Sequence, residues 1–379
     1  MKKIIQLILF FYCGVIAAQV QSKDTARYDY IGIAMDSTLY AGNIDYINQL
    51  FDKTYILNQV IVKSDDSYVK NFNKGFESGL MQSFNYGKII TNELGDTGSF
   101  DFLRSRINEK GEYHLLFRLS GDEGLNYHDY KLKEVEGEVK IVDVYFFMSG
   151  EYLSKTLKDG YNAALSNKPN IITKLLKKTV ADDFVKVLKI KNLLAEQKYQ
   201  EAYKLYKTIS SEIRKQKSLQ LVGMQVAYYI DDATYQKEIE KYEKSFPNDP
   251  SLYLISIDGA FLKGNYDRVL NLIRKLDKAI GGDPYLDSFR ANVFFAKGEL
   301  ETAMKYANQM LGNYPFYVES YTTKLSILVE QKNFKSALET LNSFYSMFGL
   351  EKQDMDEAMA VDYPELIKSS EYKEWLKQK

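Results

Sequence analysis

The sequence predicts an α+β domain at residues 24–166 followed by an all-α superhelical array at residues 170–349. Alternating apolar and polar residues between turn sequences indicate strands within residues 100–148. Apolar residues at helical spacing precede these strands. At Gly264, Gly298 and Lys332 a turn sequence recurs with a period of 34 residues, which is typical of stacked helical pairs, and a less regular continuation upstream places the start of the array near residue 183. Residues 350–379 are predicted to cap the last pair.

The first domain is predicted to place two helices on a four-stranded antiparallel sheet. Ile44, Ile47 and Phe51 give the first helix an apolar face, and the second helix has its own apolar face within residues 69–84. Four alternating runs follow, at residues 100–107, 113–119, 125–135 and 138–148. Short turns rich in glycine and acidic residues join these runs, as expected for antiparallel hairpins. This order of elements resembles the nuclear transport factor 2-like and cystatin-like α+β folds.

Hairpin register predicts which side chains share a face of this sheet. A two-residue turn at 136–137 places Tyr130 opposite Asp143 and His128 opposite Tyr145. These four side chains would then converge on an otherwise apolar face. Because a histidine held by a carboxylate is a common general base, they are candidate catalytic residues of a small-molecule or acid–base site. The favoured interpretation is a buried polar network in which Asp143 orients His128.

The helical region is defined by its period. Gly264, Gly298 and Lys332 each begin a turn and follow one another at that period. Glycine readily adopts the left-handed conformation that ends a helix, so the first two are natural helix ends. Val269, Ala303 and Ala337 recur with the same period. Upstream, Tyr199 with Ala202 and Tyr235 with Glu238 extend the pattern less regularly, which implies five units.

These residues resemble the tetratricopeptide repeat family over residues 183–349. The resemblance rests on the 34-residue length, the turn aromatics, the small residues of the second helices and the closing prolines: Tyr199, Tyr235, Tyr266, Phe334, Ala202, Ala303, Ala337, Pro250 and Pro315. It implies a superhelix whose first helices line a concave surface that binds a peptide or protein. The first-helix residues predicted to bind such a partner are Leu254, Asp258, Phe261, Tyr285, Asn292, Phe295, Thr322 and Ser326.

Two details refine this prediction of a binding surface. Some members of the family hold a peptide carboxylate with basic and amide side chains, but here the counterpart of Asn292 is the acidic Asp258. A carboxylate-binding groove is therefore not predicted. Phe261 and Phe295 have a second interpretation, as apolar residues that fill the seam between units.

The N-terminus predicts export. Residues 1–18 combine Lys2-Lys3, an apolar run and a small-residue end at Ala17-Ala18, the pattern of a secretory signal peptide. The expected location is periplasmic or secreted, with retention of the segment as an anchor as the alternative. No second apolar run of membrane length follows, so no membrane span is predicted in the mature chain.

Composition limits the chemistry that this chain is expected to perform. The formal net charge of −1 provides no electrostatic footprint for nucleic acid. The one cysteine lies within the predicted signal peptide, and the chain has two histidines, so no metal site and no cofactor are predicted. The sequence thus predicts an exported, non-catalytic protein that binds a peptide or protein. The alternatives are the small-molecule or acid–base pocket of the first domain, and a structural scaffold whose repeat groove is filled by the chain itself.

Overall fold

The computed structural model describes residues 27–95, 98–121, 124–165, 183, 186–187, 189–350, 359 and 361–377. The predicted signal peptide at residues 1–18, and the chain between the sheet domain and the first repeats at 166–182, lie outside these residues. The chain divides into two units, the first ending at Leu254 and the second beginning at Ile255. Among the described helices, none is long and apolar enough to cross a membrane.

An antiparallel five-stranded sheet, in the order β1-β2-β3-β4-β5, is the centre of the first unit. Its strands are β1 Ser99–Ile107, β2 Tyr113–Gly121, β3 Gly124–Val135, β4 Glu138–Phe146 and β5 Glu151–Tyr152. The helices that accompany it are α1 at 27–40, α2 Ile44–Leu50, α3 Lys53–Val60, α4 Ser67–Ser83, α5 Tyr86–Leu94 and α6 Leu153–Leu165. Apolar residues of α1, α2, α3 and α5 pack against one sheet face to form a shared core.

The antiparallel sheet and a helix at residues 69–84, now α4, were predicted, but the number of strands and the number of helices were not. A fifth strand, too short to show an alternating pattern, follows Gly150 and pairs Tyr152 with Tyr145. Helices α1 and α5 were missed, and the first predicted helix is divided where Phe51 forms a bridge to Ile141. Local periodicity does not show that division, because the apolar spacing continues across it.

Helix α1 covers the free edge of the sheet. The backbone N–H of Phe102 in β1 donates to Asp36 Oδ2 at 3.0 Å, and the N–H of Ser105 donates to Asp29 Oδ1 at 3.2 Å. Gly32 allows this close approach, since a Cβ there would collide with the Phe102 ring. Two β1 amides that could pair with another strand are thus bonded within the chain.

The described residues after the sheet domain are mainly helical. In the first unit the helices are a segment α7 at 189–195, then α8 Tyr199–Lys207, α9 Ser211–Arg214, α10 Lys217–Tyr228 and α11 Asp232–Ser245. Helix α12 Leu252–Leu262 crosses the boundary between the units. The second unit continues with α13 Tyr266–Ile280, α14 Leu286–Ala296, α15 Leu300–Asn313, α16 Val318–Glu330 and α17 Phe334–Phe348. Two short helices, Pro364–Lys368 and Ser370–Lys377, end the described chain.

The starts of the second helix of each pair follow the period more regularly than the turn residues in the sequence do. The N-cap residues of α8, α11, α13, α15 and α17 are Lys198, Asp231, Asn265, Glu299 and Asn333, at spacings of 33, 34, 34 and 34 residues. Aligned on these caps, Tyr235 occupies the small-residue position of Ala202, and Asp232 occupies the turn position. The predicted equivalence of Tyr235 with the turn aromatics, and of Glu238 with the small residues, was therefore wrong.

Glu238 instead links two neighbouring helical pairs. Its buried carboxylate accepts a hydrogen bond of 2.9 Å from Tyr203 Oη of α8 and one of 2.6 Å from Lys241 Nζ. Burial and this carboxylate raise the pKa of the Tyr203 hydroxyl. The tyrosine therefore stays protonated and continues to donate.

Removing this acceptor is expected to destabilise the first unit. In Glu238→Leu the Tyr203 hydroxyl is left buried without its acceptor, so the free energy of unfolding should fall by about 1–3 kcal/mol. Urea denaturation followed by circular dichroism measures this loss. The double variant Glu238→Leu with Tyr203→Phe removes both partners and should recover part of the stability. A double variant as unstable as the sum of the single variants would contradict the assigned link.

The sheet domain contacts the helical part of the first unit at the turn before β5. Lys217 Nζ of α10 bonds Asp249 Oδ2 at 2.6 Å and the Gly150 carbonyl at 3.3 Å. Gly150 has φ of 62°, a left-handed conformation that disfavours any side chain. A Cβ at this position would also collide with the Asp249 carboxylate.

Gly150→Ala is therefore expected to cost more than a glycine substitution at an open turn. We expect a loss of about 2–3 kcal/mol in the free energy of unfolding, from backbone strain and a displaced Asp249. Gly137→Ala is the matched control, because Gly137 also has positive φ, 84°, but has open space around its Cβ position. The control should lose only about 1–2 kcal/mol. Equal losses in thermal denaturation of the two variants would show that the contact with Asp249 contributes nothing.

Candidate functional site

Of the predicted cluster of His128, Tyr130, Asp143 and Tyr145, only His128 and Tyr130 lie together. Near the β3–β4 turn the register is as predicted, with Leu132 opposite Ile141. A shift between Lys131 and Leu132 then places Lys131 opposite Asp143 and His128 opposite Phe146. Because successive residues of a strand point to opposite faces, this one extra residue moves Asp143 and Tyr145 away from His128.

Another set of side chains surrounds His128 on the helix-covered face. Its Nδ1 lies 3.0 Å from Tyr86 Oη and 3.4 Å from Tyr130 Oη. Its Nε2 lies 3.1 Å from Asn126 Nδ2 and 3.4 Å from Glu93 Oε2. Asn126 also donates to Glu93 Oε1 at 2.7 Å, which closes the network. We call these five residues the His128 network; its two helical members, Tyr86 and Glu93, come from α5, which the sequence did not predict.

The protonation states of Glu93, Tyr86 and Tyr130 are compatible with the hydrogen bonds of the His128 network. Burial raises the pKa of Glu93, but the nearby His128 and hydrogen bonds from His128 and Asn126 outweigh it, so the net shift is downward. Burial raises the pKa values of the Tyr86 and Tyr130 hydroxyls well above their usual range. Glu93 is therefore a carboxylate and the tyrosines are protonated near neutral pH. Both ring nitrogens of the buried His128 already contact protein groups, so the network fits a structural role.

Asp143 holds the start of α6 instead of orienting a histidine. Its Oδ2 accepts from Ser154 Oγ at 2.5 Å, and its Oδ1 accepts from the Ser154 backbone N–H at 3.0 Å. Burial raises the pKa of Asp143 in spite of these hydrogen bonds, which lower it. Tyr145 lies in an aromatic group with Phe147 and Tyr152, and burial raises its pKa to about 12.

The second histidine belongs to a separate network on the opposite face. His114 Nδ1 lies 3.1 Å from Asp129 Oδ1, while Asp129 Oδ2 pairs with Arg106 Nη2 at 2.6 Å. His114 Nε2 lies 3.2 Å from Asn108 Nδ2 in the β1–β2 turn. The pairing of His114 with Asp129 was not predicted from the sequence. Within the described ranges, no group of three His, Cys, Asp or Glu side chains could hold a metal ion.

The predicted partner-binding residues differ in their accessibility. Asp258 and Asn292 are exposed on α12 and α14, at equivalent positions of successive repeats, and Ser326 continues the series on α16. Phe261 is partly exposed and contacts the Tyr266 ring at a centroid distance of 5.6 Å. Phe295 is half-buried against the core shared by α14 and α15. Both aromatic residues therefore contribute to packing as well as to the surface.

Leu254, Tyr285, Thr322 and Ser326 of the predicted surface are not all open to a partner. Leu254 and Tyr285 are buried, so neither presents a contact surface in this structure. Ser326 Oγ lies 3.1 Å from Tyr363 Oη, which also donates to the Thr322 carbonyl at 3.3 Å. The C-terminal segment thus covers part of α16. The accessible part of the predicted surface is centred on Asp258 and Asn292.

A scan against protein-family models finds no match, and a search of curated proteins finds no similar sequence.

Proposed function

We propose that this chain is an exported, non-catalytic protein that binds a peptide or protein partner along the first helices of tetratricopeptide-like repeats. The observation that supports it best is the repetition of exposed polar residues at Asp258 and Asn292, one repeat period apart. Regularly spaced side chains on stacked helices suit an extended ligand whose own groups repeat. Within the described chain, Asn292 has no hydrogen-bonding partner, so its amide remains available to a ligand backbone.

The flanking aromatic residues suit the same role. Phe261 and Phe295 are separated by the same repeat period, and each lies three residues after Asp258 or Asn292, close to one helical turn. Partly exposed aromatic rings beside hydrogen-bonding groups are typical of protein-binding surfaces. A partner would therefore use polar contacts at Asp258 and Asn292, with apolar contacts beside them.

The scaffold alternative also has one observation in its favour. Tyr363 occupies the surface of α16 at Thr322 and Ser326, so the chain itself fills that part of the predicted groove. By contrast, no observation favours the catalytic alternative, because His128 and Asp143 lie in separate networks. Photo-crosslinking at the predicted surface therefore distinguishes partner binding from a self-filled scaffold.

Site-specific photo-crosslinking tests the binding surface. A photoreactive residue at position 292 should crosslink a defined protein in intact cells, whereas one at the exposed Lys305 of α15 should not. The crosslink should weaken in the double variant Asp258→Ala with Phe261→Ala. Crosslinking that is equal at positions 292 and 305, or absent at both, would contradict the proposed surface and favour the scaffold.

The proposed exported location rests on residues 1–18 alone. Fusing residues 1–30 to alkaline phosphatase should give activity in a bacterial host, because this enzyme is active only after export. The substitution Leu9→Arg interrupts the apolar run and should abolish the activity. An active fusion carrying that substitution would show that the segment is not the export signal.

A further inference from the structure

A cavity in the second unit is not accounted for by the packing of the helical pairs. It has a volume of about 70 Å³ and lies among α16, α17 and the C-terminal segment. Its apolar wall includes Val318, Tyr321, Leu325, Leu341, Phe344 and Met359. On the same measure one water needs roughly 10–15 Å³, so the space accommodates a group of several non-hydrogen atoms.

Two hydroxyl groups of the cavity lining, those of Thr340 and Tyr363, are bonded within the protein. Thr340 Oγ1 donates to the Ser336 carbonyl at 2.9 Å, and Tyr363 Oη bonds Ser326 and the Thr322 carbonyl. The cavity wall therefore presents mainly carbon. Such a site favours an apolar group over water, because water would find few partners there.

The mouth of the cavity is apolar and acidic. Val318, which lines it, is 46% exposed, and its sequence neighbour Phe316 is 73% exposed. Among the described residues of the lining, Asp362 is the one that carries a charge, and it is exposed. Within the described chain Asp362 forms no ion pair, and its charge raises the pKa of the adjacent Tyr363 hydroxyl, although burial is the larger cause.

We propose that this cavity receives one apolar side chain, such as leucine or methionine, from an extended peptide that carries a lysine or arginine beside it. The apolar wall takes the side chain, and Asp362 pairs with the neighbouring cation. This inference extends the proposed peptide-binding function and rests on it, because it assigns the chemistry of one segment of the partner. The site is separate from Asp258 and Asn292, so each can fail in its own test.

Fluorescence anisotropy with synthetic peptides tests the proposal on the full chain. The probe is a labelled decapeptide whose four central residues alternate leucine and lysine. Replacing its leucines with serine should weaken binding at least about tenfold, since the burial of a leucine side chain is lost. Replacing its lysines with glutamate should weaken binding by about fivefold or more, and added salt should reduce that difference.

Variants of the protein locate the binding. Thr322→Trp, at an exposed position in the cavity lining, should block the probe. Asp362→Lys should reverse the preference, so that the glutamate peptide binds better than the lysine peptide. Glu330→Lys makes the same charge change at the exposed end of α16 and should change affinity less than about twofold. Absence of saturable binding, or binding unaffected by both Thr322→Trp and Asp362→Lys, would overturn the proposal.

Discussion

His128→Ala is expected to lower the free energy of unfolding of the first unit by about 3–5 kcal/mol. The substitution leaves a cavity in the fully buried core and removes the partner of the Tyr86 hydroxyl, which lies 3.0 Å from Nδ1. It also removes the group that faces the Glu93 carboxylate at 3.4 Å. Hydrogen exchange measured by mass spectrometry reports this loss as lower protection of β2 and β3 amides.

A smaller change in the same network provides the control. Tyr130→Phe removes one hydroxyl at 3.4 Å from His128 and leaves the ring in place, so it should cost only about 1 kcal/mol. The two variants should therefore differ clearly in the urea concentration at mid-transition. Similar mid-transition values would mean that His128 contributes only its volume, and the polar network would then add little to stability.

The Glu93 carboxylate gives this region a dependence on pH. Its pKa in the folded protein lies below the usual value of about 4.3. A lowered carboxyl pKa adds stability that is fully present above the unfolded-state pKa and is lost as pH falls through the folded-state pKa. Glu93→Gln should thus be less stable than the natural chain at pH 7, and the difference should shrink below about pH 4. A constant difference across this range, measured by urea denaturation, would contradict the assignment.

The antiparallel arrangement of the sheet was predictable because turn chemistry and alternation are local signals. The turn at 136–137 gave the correct pairing of Leu132 with Ile141. The predicted grouping of the catalytic candidates is wrong because the strand register shifts at Lys131, a few residues further from the turn. A bulge depends on how both strands pack, and alternation within either strand does not show it.

Neither the helix that completes the His128 network nor the one that covers β1 was predicted. Helix α5 is short, and its Tyr86 and Glu93 gain their role only through contact with the sheet. For the repeats, the period was predictable from Gly264 and Gly298, while the alignment of the second repeat, which includes α11, was not. In that repeat the N-cap Asp231 shows which residues of α11 correspond to those of the other second helices. A cap is a reliable reference because it is defined by the backbone and not by the neighbouring aromatic residue.

Trp375→Ala is expected to destabilise the end of the second unit by about 3–5 kcal/mol. The Trp375 ring is buried beside Tyr345 and Tyr372, with centroid distances of 5.8 and 5.5 Å. Its Nε1 donates to Asn342 Oδ1 of α17 at 2.7 Å. Removing the ring exposes apolar residues of α17 that the helix Ser370–Lys377 covers.

The adjacent Leu376→Ala is the matched control, because Leu376 is 41% exposed and should change stability by no more than about 0.5 kcal/mol. Trp375 is the only tryptophan, so the comparison uses thermal denaturation by circular dichroism and not fluorescence. A terminal helical pair without its cap presents its apolar face to water or to another copy. The variant should therefore also self-associate in analytical ultracentrifugation, and a stable, monomeric Trp375→Ala protein would show that residues 364–377 do not cap the array.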